Sequence, residues 1–160
     1  MSEDKLTLVE VAAVVIVRDR KILAVFNENW GAFTLPMTKR RMWKDAGARI
    51  ENEDWAHAAS RAAGEWLAKT FTSPPVFCVD APEYEQSDRD GVLKRYWFKV
   101  FRFCLDEDED QELVHGAHAE WLTADQFLEK DRRPISPTAV ALLQELMAQF
   151  IRDGKRLPWA

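Results

Sequence analysis

Residues 47–70 read GARIENEDWAHAASRAAGEWLAKT, and this stretch contains the clearest helical pattern of the chain. From Trp55 onward, its apolar residues recur every three or four positions, which is the spacing of one face of an α-helix. Asp54 precedes them, and its carboxylate can accept a hydrogen bond from a backbone amide of the first turn. Residues 54–70 are therefore predicted to form the best-defined helix of the chain.

Strands are predicted on both sides of this helix, because β-branched and aromatic residues cluster there between polar turns. They cover residues 6–17, 22–26, 30–37, 76–79, 92–105 and 119–123. An acidic loop is predicted between the fourth and fifth strands, with Glu83, Glu85, Asp88 and Asp90 in it. A last helix is predicted from the Ser136-Pro137 cap onward. Strands, helix, strands and helix in that order predict an α+β fold.

The composition limits the classes of function. The chain has 160 residues, enough for a single domain, so we expect one domain over residues 1–160. Its net charge of −5 argues against bulk nucleic-acid binding. No apolar run is long enough to span a bilayer and the first residues are acidic, which favours a cytoplasmic protein without a membrane anchor.

Gly47, Glu53 and Arg61 have the spacing glycine-x5-glutamate-x7-arginine. This spacing resembles the opening half of the Nudix box, the sequence signature of a hydrolase superfamily, and the predicted order of elements agrees with it. The resemblance implies a Nudix-like α/β/α sandwich with a mixed β-sheet between helices and a core of about residues 8–150. It also implies that Glu53 and Arg61 form a structural pair.

The second half of the box departs from the family. The family places three glutamates after the arginine, where this chain has Ala62, Glu65 and Trp66. The resemblance implies chemistry in which carboxylates hold Mg²⁺ against a diphosphate, with Glu65 as the remaining metal ligand. Because two of three carboxylates are replaced, weak or absent pyrophosphohydrolase activity is expected. A second interpretation places Glu65 in a helix-stabilising ladder with Arg61 and Lys69.

A basic segment follows the Leu35-Pro36 pair, where the family runs almost directly into glycines. Arginine side chains match phosphate oxygens and indole rings stack on bases, so the segment predicts binding of a phosphorylated small molecule or nucleotide. The residues predicted to bind this ligand are Lys39, Arg40, Arg41 and Trp30. The alternative is a solvated loop whose charges pair with nearby acids.

Three functions remain open at this level. The first is a Nudix-fold protein that binds a phosphorylated ligand and barely hydrolyses it. The second is an active Mg-dependent hydrolase of nucleoside diphosphate derivatives, using Glu65 with acids of the 83–90 loop. The third is a protein-interaction or regulatory module, using the long aromatic strand or the last helix with its Leu157-Pro158-Trp159 tail. Homodimerisation is left open, and four tryptophans are predicted to serve packing, namely Trp55, Trp66, Trp97 and Trp121.

Overall fold

The computed structural model describes residues 8–44, 47, 50–68, 74–87, 91–105, 112–129 and 134–160. The strands are β1 (Leu8–Arg18), β2 (Lys21–Asn27), β3 (Ala32–Thr34), β4 (Met37–Lys39), β5 (Met42–Lys44), β6 (Ile50–Asn52), β7 (Val76–Ser87), β8 (Leu93–Cys104) and β9 (Ala119–Leu122). The helices are α1 (Trp55–Gly64), α2 (Ala124–Glu129) and α3 (Pro137–Arg152). None of these helices is long and apolar enough to cross a bilayer.

Seven of the strands form one mixed sheet. Its path is β3-β2-β1-β8-β7, with β4 paired to β1 and β9 paired to β2. The central strands β1 and β8 are parallel, and the other pairs are antiparallel. The β1–β2 turn has positive φ at both Asp19 and Arg20, the conformation that joins two tightly twisted strands. This confirms the predicted polar turn.

Two hydrophobic clusters lie on opposite faces of the sheet. In β1, Ala13 and Val15 belong to the cluster that α2 and α3 cover, whereas Val14 and Ile16 belong to the cluster that α1 covers. A strand alternates its side chains between two faces, so this apolar run supplies both clusters. The layers confirm the predicted α/β/α sandwich.

Helix α1 is shorter than predicted. Its N-terminus is as expected, since the Asp54 carboxylate accepts a hydrogen bond from Ala56 N at 3.3 Å. The helix ends at Gly64, however, and the chain then runs beside residues 112–114, with Val114 N donating to Trp66 O at 2.9 Å. Glycine disfavours a helix and this new pairing satisfies the backbone that a longer helix would have used. The prediction that the helix continues to residue 70 was therefore wrong for residues 65–68. Residues 69 and 70 lie outside the described part of the chain.

Two predicted loops are strands. Glu83 and Glu85 belong to β7, which pairs with β8, so the prediction of a loop was wrong there; Asp88 and Asp90 lie outside the described residues. The basic segment was also predicted as a loop, but it contains β4 and β5, and β5 pairs with β6 as a separate hairpin. Short strands of three residues carry too little periodicity to be recognised from sequence.

The C-terminal tail is part of the core. Trp159 is 9% exposed and belongs to the cluster under α3, because the chain turns back after the helix. The proposed partner surface at Leu157-Pro158-Trp159 is therefore wrong for its tryptophan. The apolar spacing of the last helix predicts that Ile151 lies on its buried face, but this prediction was wrong, since Ile151 is 68% exposed. The cap of α3 is as predicted, with Ser136 Oγ accepting from Ala139 N at 3.0 Å.

Candidate functional site

Glu53 lies between β6 and α1 and is only 2% exposed. Its Oε1 accepts hydrogen bonds from Arg61 Nη2 at 2.8 Å and from Arg41 N at 3.0 Å. Its Oε2 accepts from Arg61 Nε at 3.1 Å and lies 2.6 Å from His57 Nδ1. The carboxylate is therefore saturated with donors, and the structure brings Glu53 and Arg61 together as a two-pronged pair.

These donors favour the ionised form of the carboxyl group. The hydrogen bonds from Arg61 are the largest cause, opposed by burial and aided by Arg41 N and His57, and together they lower the pKa of Glu53 to about 2. A carboxylate with such a pKa is a poor proton acceptor near neutral pH. Because its lone pairs already point at protein donors, Glu53 holds the start of α1 in place rather than offering oxygens to a ligand.

The face of α1 that follows the pair is apolar. Ala62 is fully buried, and Trp66 packs against the same cluster from the turn beyond the helix. Glu65 is exposed at the C-cap of α1, and its charge raises the pKa of Arg61 less than Glu53 does. In the part of the chain that the structure describes, no three acidic, histidine or cysteine side chains come together as metal ligands. Of the three box positions after Arg61, only Glu65 therefore offers a carboxylate to a magnesium ion, which proteins usually hold with one or two carboxylates together with ligand phosphates.

Gly47 lies in the turn between β5 and β6, at the end of the hairpin away from Glu53. At the hairpin base, Glu53 N donates to Arg41 O at 2.8 Å while Arg41 N donates to the Glu53 carboxylate. The glycine and the glutamate of the sequence pattern are thus separated by a β-strand. Only the glutamate and the arginine of the pattern meet in space.

The predicted ligand residues divide into two groups. Lys39 and Arg40 line a groove of about 340 Å³ beside the start of β1, together with Leu8, Val9, Glu10, Met42 and Asn52. Arg40 is already engaged, since Nη1 lies 3.0 Å from Glu10 Oε2, Nε donates to Glu53 O, and the guanidinium lies 4.9 Å from the Trp55 ring centroid. The side chain of Arg41 is exposed. Trp30 is 44% exposed in the turn after β2 and is not among the described residues that line the groove.

A further cluster adjoins this groove through Arg40. Trp55 at the start of α1 and Trp97 of β8 meet edge to face, with ring centroids 5.6 Å apart. Lys99 lies next to both rings. The sequence predicted these tryptophans only as packing residues. The alternation of side chains along β8 could have indicated the cluster, because it places Trp97 and Lys99 on the same face as Phe101. Helix α1 covers this face further along the strand.

Comparisons with known proteins bear on the fold. No family model and no curated protein matches the chain. The structure is similar to the MutT protein of Methanosarcina mazei Go1, with a TM-score of 0.63, 16% identity, and coverage of 97% of this chain and 100% of that one. It is also similar to the NUDIX domain of Shewanella oneidensis NrtR, solved with ADP ribose (TM-score 0.57, 14% identity, 92% and 90% coverage).

A third similar structure is the bifunctional NMN adenylyltransferase/ADP ribose pyrophosphatase of Francisella tularensis, solved with AMP and a Mn ion. Its TM-score is 0.61 at 12% identity, and the match covers 92% of this chain but 43% of that one. Likeness at these identities concerns the backbone, and it agrees with the α/β/α sandwich. The chain has the Nudix fold.

Proposed function

We propose that this protein binds a phosphorylated nucleotide derivative in the groove beside β1 and hydrolyses it weakly or not at all. The proposal is carried by the residues at the Nudix-box positions. Glu53 already accepts hydrogen bonds from protein donors at both carboxylate oxygens, and Ala62 is buried at a position where the family has a glutamate. Hydrolysis of a diphosphate by the family's route needs a metal held by carboxylates. The fold keeps its architecture without that ligand set.

The charges around the groove support the binding half of the proposal. Lys39 lines the groove and Arg41 lies two positions beyond it, and both side chains are exposed and make no ion pair with another described residue. Cations that no described acid pairs with can reach phosphate oxygens, with which they form charge-assisted hydrogen bonds. The structurally similar proteins from Shewanella and Francisella were solved with ADP ribose and with AMP, which makes these two ligands the natural probes.

Calorimetric titration with ADP ribose and AMP, in EDTA and in magnesium, tests the proposal. Binding of at least one probe is expected in both buffers, with little release of product. Lys39→Met and Arg41→Met should each weaken binding about tenfold, since a hydrogen bond to a charged group contributes about 1.5–3 kcal/mol. Lys21→Met is the matched control, since Lys21 is exposed at the start of β2, opposite Arg18 at the far end of β1, and it should leave affinity unchanged. Rapid magnesium-dependent turnover that Glu65→Gln abolishes would refute the proposal.

A second candidate function is a protein-interaction module. It is favoured by the β5–β6 hairpin, where Met42 is 67% exposed and Trp43 is 47% exposed, close in sequence to Lys39 and Arg41. Exposed apolar side chains rimmed by charges are a feature of protein interfaces. Light scattering over a range of concentrations tests self-association through this surface. If the unaltered protein and Met42→Ser are both monomeric at every concentration, the hairpin does not mediate self-association.

A further inference from the structure

Trp55 and Trp97 form what we call the indole corner. Their ring planes meet at 62°, so the two rings stand edge to face rather than in a flat stack. Trp97 is fixed because its Nε1 donates to Asp80 Oδ1 at 3.1 Å. Trp55 is fixed by its place as the first residue of α1 and by the Arg40 guanidinium 4.9 Å from its centroid. The corner is therefore rigid on both sides.

The ammonium group of Lys99 occupies this corner. Its Nζ lies 5.0 Å from the Trp55 centroid and 5.1 Å from the Trp97 centroid, with Phe77 at 5.8 Å. Aromatic faces attract cations at these distances, which explains why the side chain folds in. The corner thus already holds a charged group that belongs to the chain itself.

The polar bonds that Lys99 makes are weak. Its only ion pair within the described residues is to Asp80, at 4.0 Å, which is the outer limit of such a contact, and its side chain is 23% exposed. A pair at this distance contributes little, and the three N–H donors of the ammonium make no hydrogen bond to another described side chain. The ring faces are therefore what mainly hold the ammonium, and a ligand phosphate offers it a stronger, charge-assisted acceptor.

We propose that Lys99 is a placeholder: the indole corner takes the planar ring of the bound ligand, and the displaced ammonium moves onto the ligand's phosphate. This inference rests on the proposed function, and it names the ring subsite and a specificity residue within it. A planar base stacks on one indole and meets the edge of the other, as aromatic platforms for bases do. Arg40 contacts Trp55 and also lines the groove, so the corner adjoins the groove through this one side chain.

The proposal predicts opposite effects on two probes. In Lys99→Met the corner carries no competing charge, and a ligand with a ring but no phosphate should bind more tightly. A ligand with a ring and a phosphate is also freed from the competing charge, but it loses the Lys99 ammonium as a partner for its phosphate. The lost charge-assisted bond is the larger effect. A lysine that merely covers the rings would shift both affinities in the same direction.

Calorimetry with adenosine and ADP, in EDTA, makes this test. For Lys99→Met we expect adenosine to bind about threefold more tightly and ADP to bind about tenfold more weakly than in the unaltered protein. Lys99→Arg keeps the charge and should leave ADP affinity within about threefold. Thermal unfolding of each variant shows whether it is folded, and Lys21→Met serves again as the control.

Two results would overturn the placeholder role. One is a change of the same sign for both probes in Lys99→Met; the other is no change in either. If the unaltered protein binds none of AMP, ADP and ADP ribose, the proposed function and this inference fall together. If ADP binds and Lys99→Met leaves its affinity unchanged, only this inference falls.

Discussion

Replacing Arg61 by methionine should strongly destabilise the fold. Arg61 is 19% exposed, and its guanidinium also donates to Thr38 Oγ1 at 2.8 Å and Lys39 O at 2.9 Å, so it ties β4 to α1 as well as neutralising Glu53. Methionine keeps the aliphatic part of the side chain and leaves the buried carboxylate without its main partner. Loss of one partner of a buried pair costs about 3–5 kcal/mol of unfolding free energy.

The pKa of Glu53 gives an independent magnitude. A carboxyl that titrates near 4.5 when unfolded and at about 2 when folded contributes about 3 kcal/mol of stability near neutral pH. Because the folded pKa is the lower one, this contribution is complete above pH 4.5 and is lost as the pH falls toward 2. In Arg61→Met the largest cause that lowers the pKa of Glu53 is lost while burial still opposes ionisation, so the pKa of Glu53 rises and protonation relieves the variant as the medium becomes acidic. The difference between the two proteins should therefore be largest near pH 7 and shrink by pH 4.

Urea denaturation at pH 7, 5 and 4 is the assay. The double variant Glu53→Met with Arg61→Met removes both charges and should recover most of the stability lost in Arg61→Met, since two apolar groups can replace a buried pair at little cost. Arg152→Met, on a helix arginine that is 71% exposed, should change stability by less than about 0.5 kcal/mol. The reasoning is refuted if Arg61→Met and the double variant are equally stable, or if the deficit of Arg61→Met does not depend on pH.

Three further predictions follow from burial. Ala62→Glu places a charge where the exposed fraction is zero and should lower the unfolding free energy by about 3 kcal/mol or more, whereas Gln144→Glu on exposed α3 surface should not; thermal melting compares them. Trp159→Ala should cost about 3 kcal/mol in urea denaturation, and a cost under about 1 kcal/mol would show that the tail does not dock on the core. Burial raises the pKa of the Cys78 thiol to about 12, so iodoacetamide at pH 8 should alkylate exposed Cys104 first, and mass spectrometry should find Cys78 modified only after unfolding.

The sequence carried most of the fold because its long elements have unambiguous periodicity. Val11 to Val17 is apolar at every position, which predicts a strand with both faces covered, and the structure covers it with helices on both sides. Asp54 and Ser136 were recognisable as caps because their side chains suit the unpaired amides that follow. The end of α1 was missed because the partner that draws the chain away, residues 112–114, is about 50 positions distant in sequence.

The site was harder to predict than the fold. The resemblance to the Nudix box implied that Glu53 and Arg61 pair, and the two side chains form an ion pair in the structure. No spacing predicted that Arg40 would be engaged by Glu10, which comes from a strand 30 positions earlier. The indole corner escaped notice for the same reason, since Trp55 and Trp97 are adjacent only once α1 lies on the sheet.

The closure of the β5–β6 hairpin has a consequence for how this protein could vary. Arg41 and Glu53 are joined by two hydrogen bonds, one between their backbones and one to the Glu53 carboxylate. The two ends of the segment 42–52 are therefore held together at one point. A segment whose two ends already meet can be shortened, lengthened or exchanged with little strain on its surroundings. The β5–β6 hairpin can therefore be exchanged as a unit, and a new binding specificity can be acquired through it while the sheet and the helices stay unchanged.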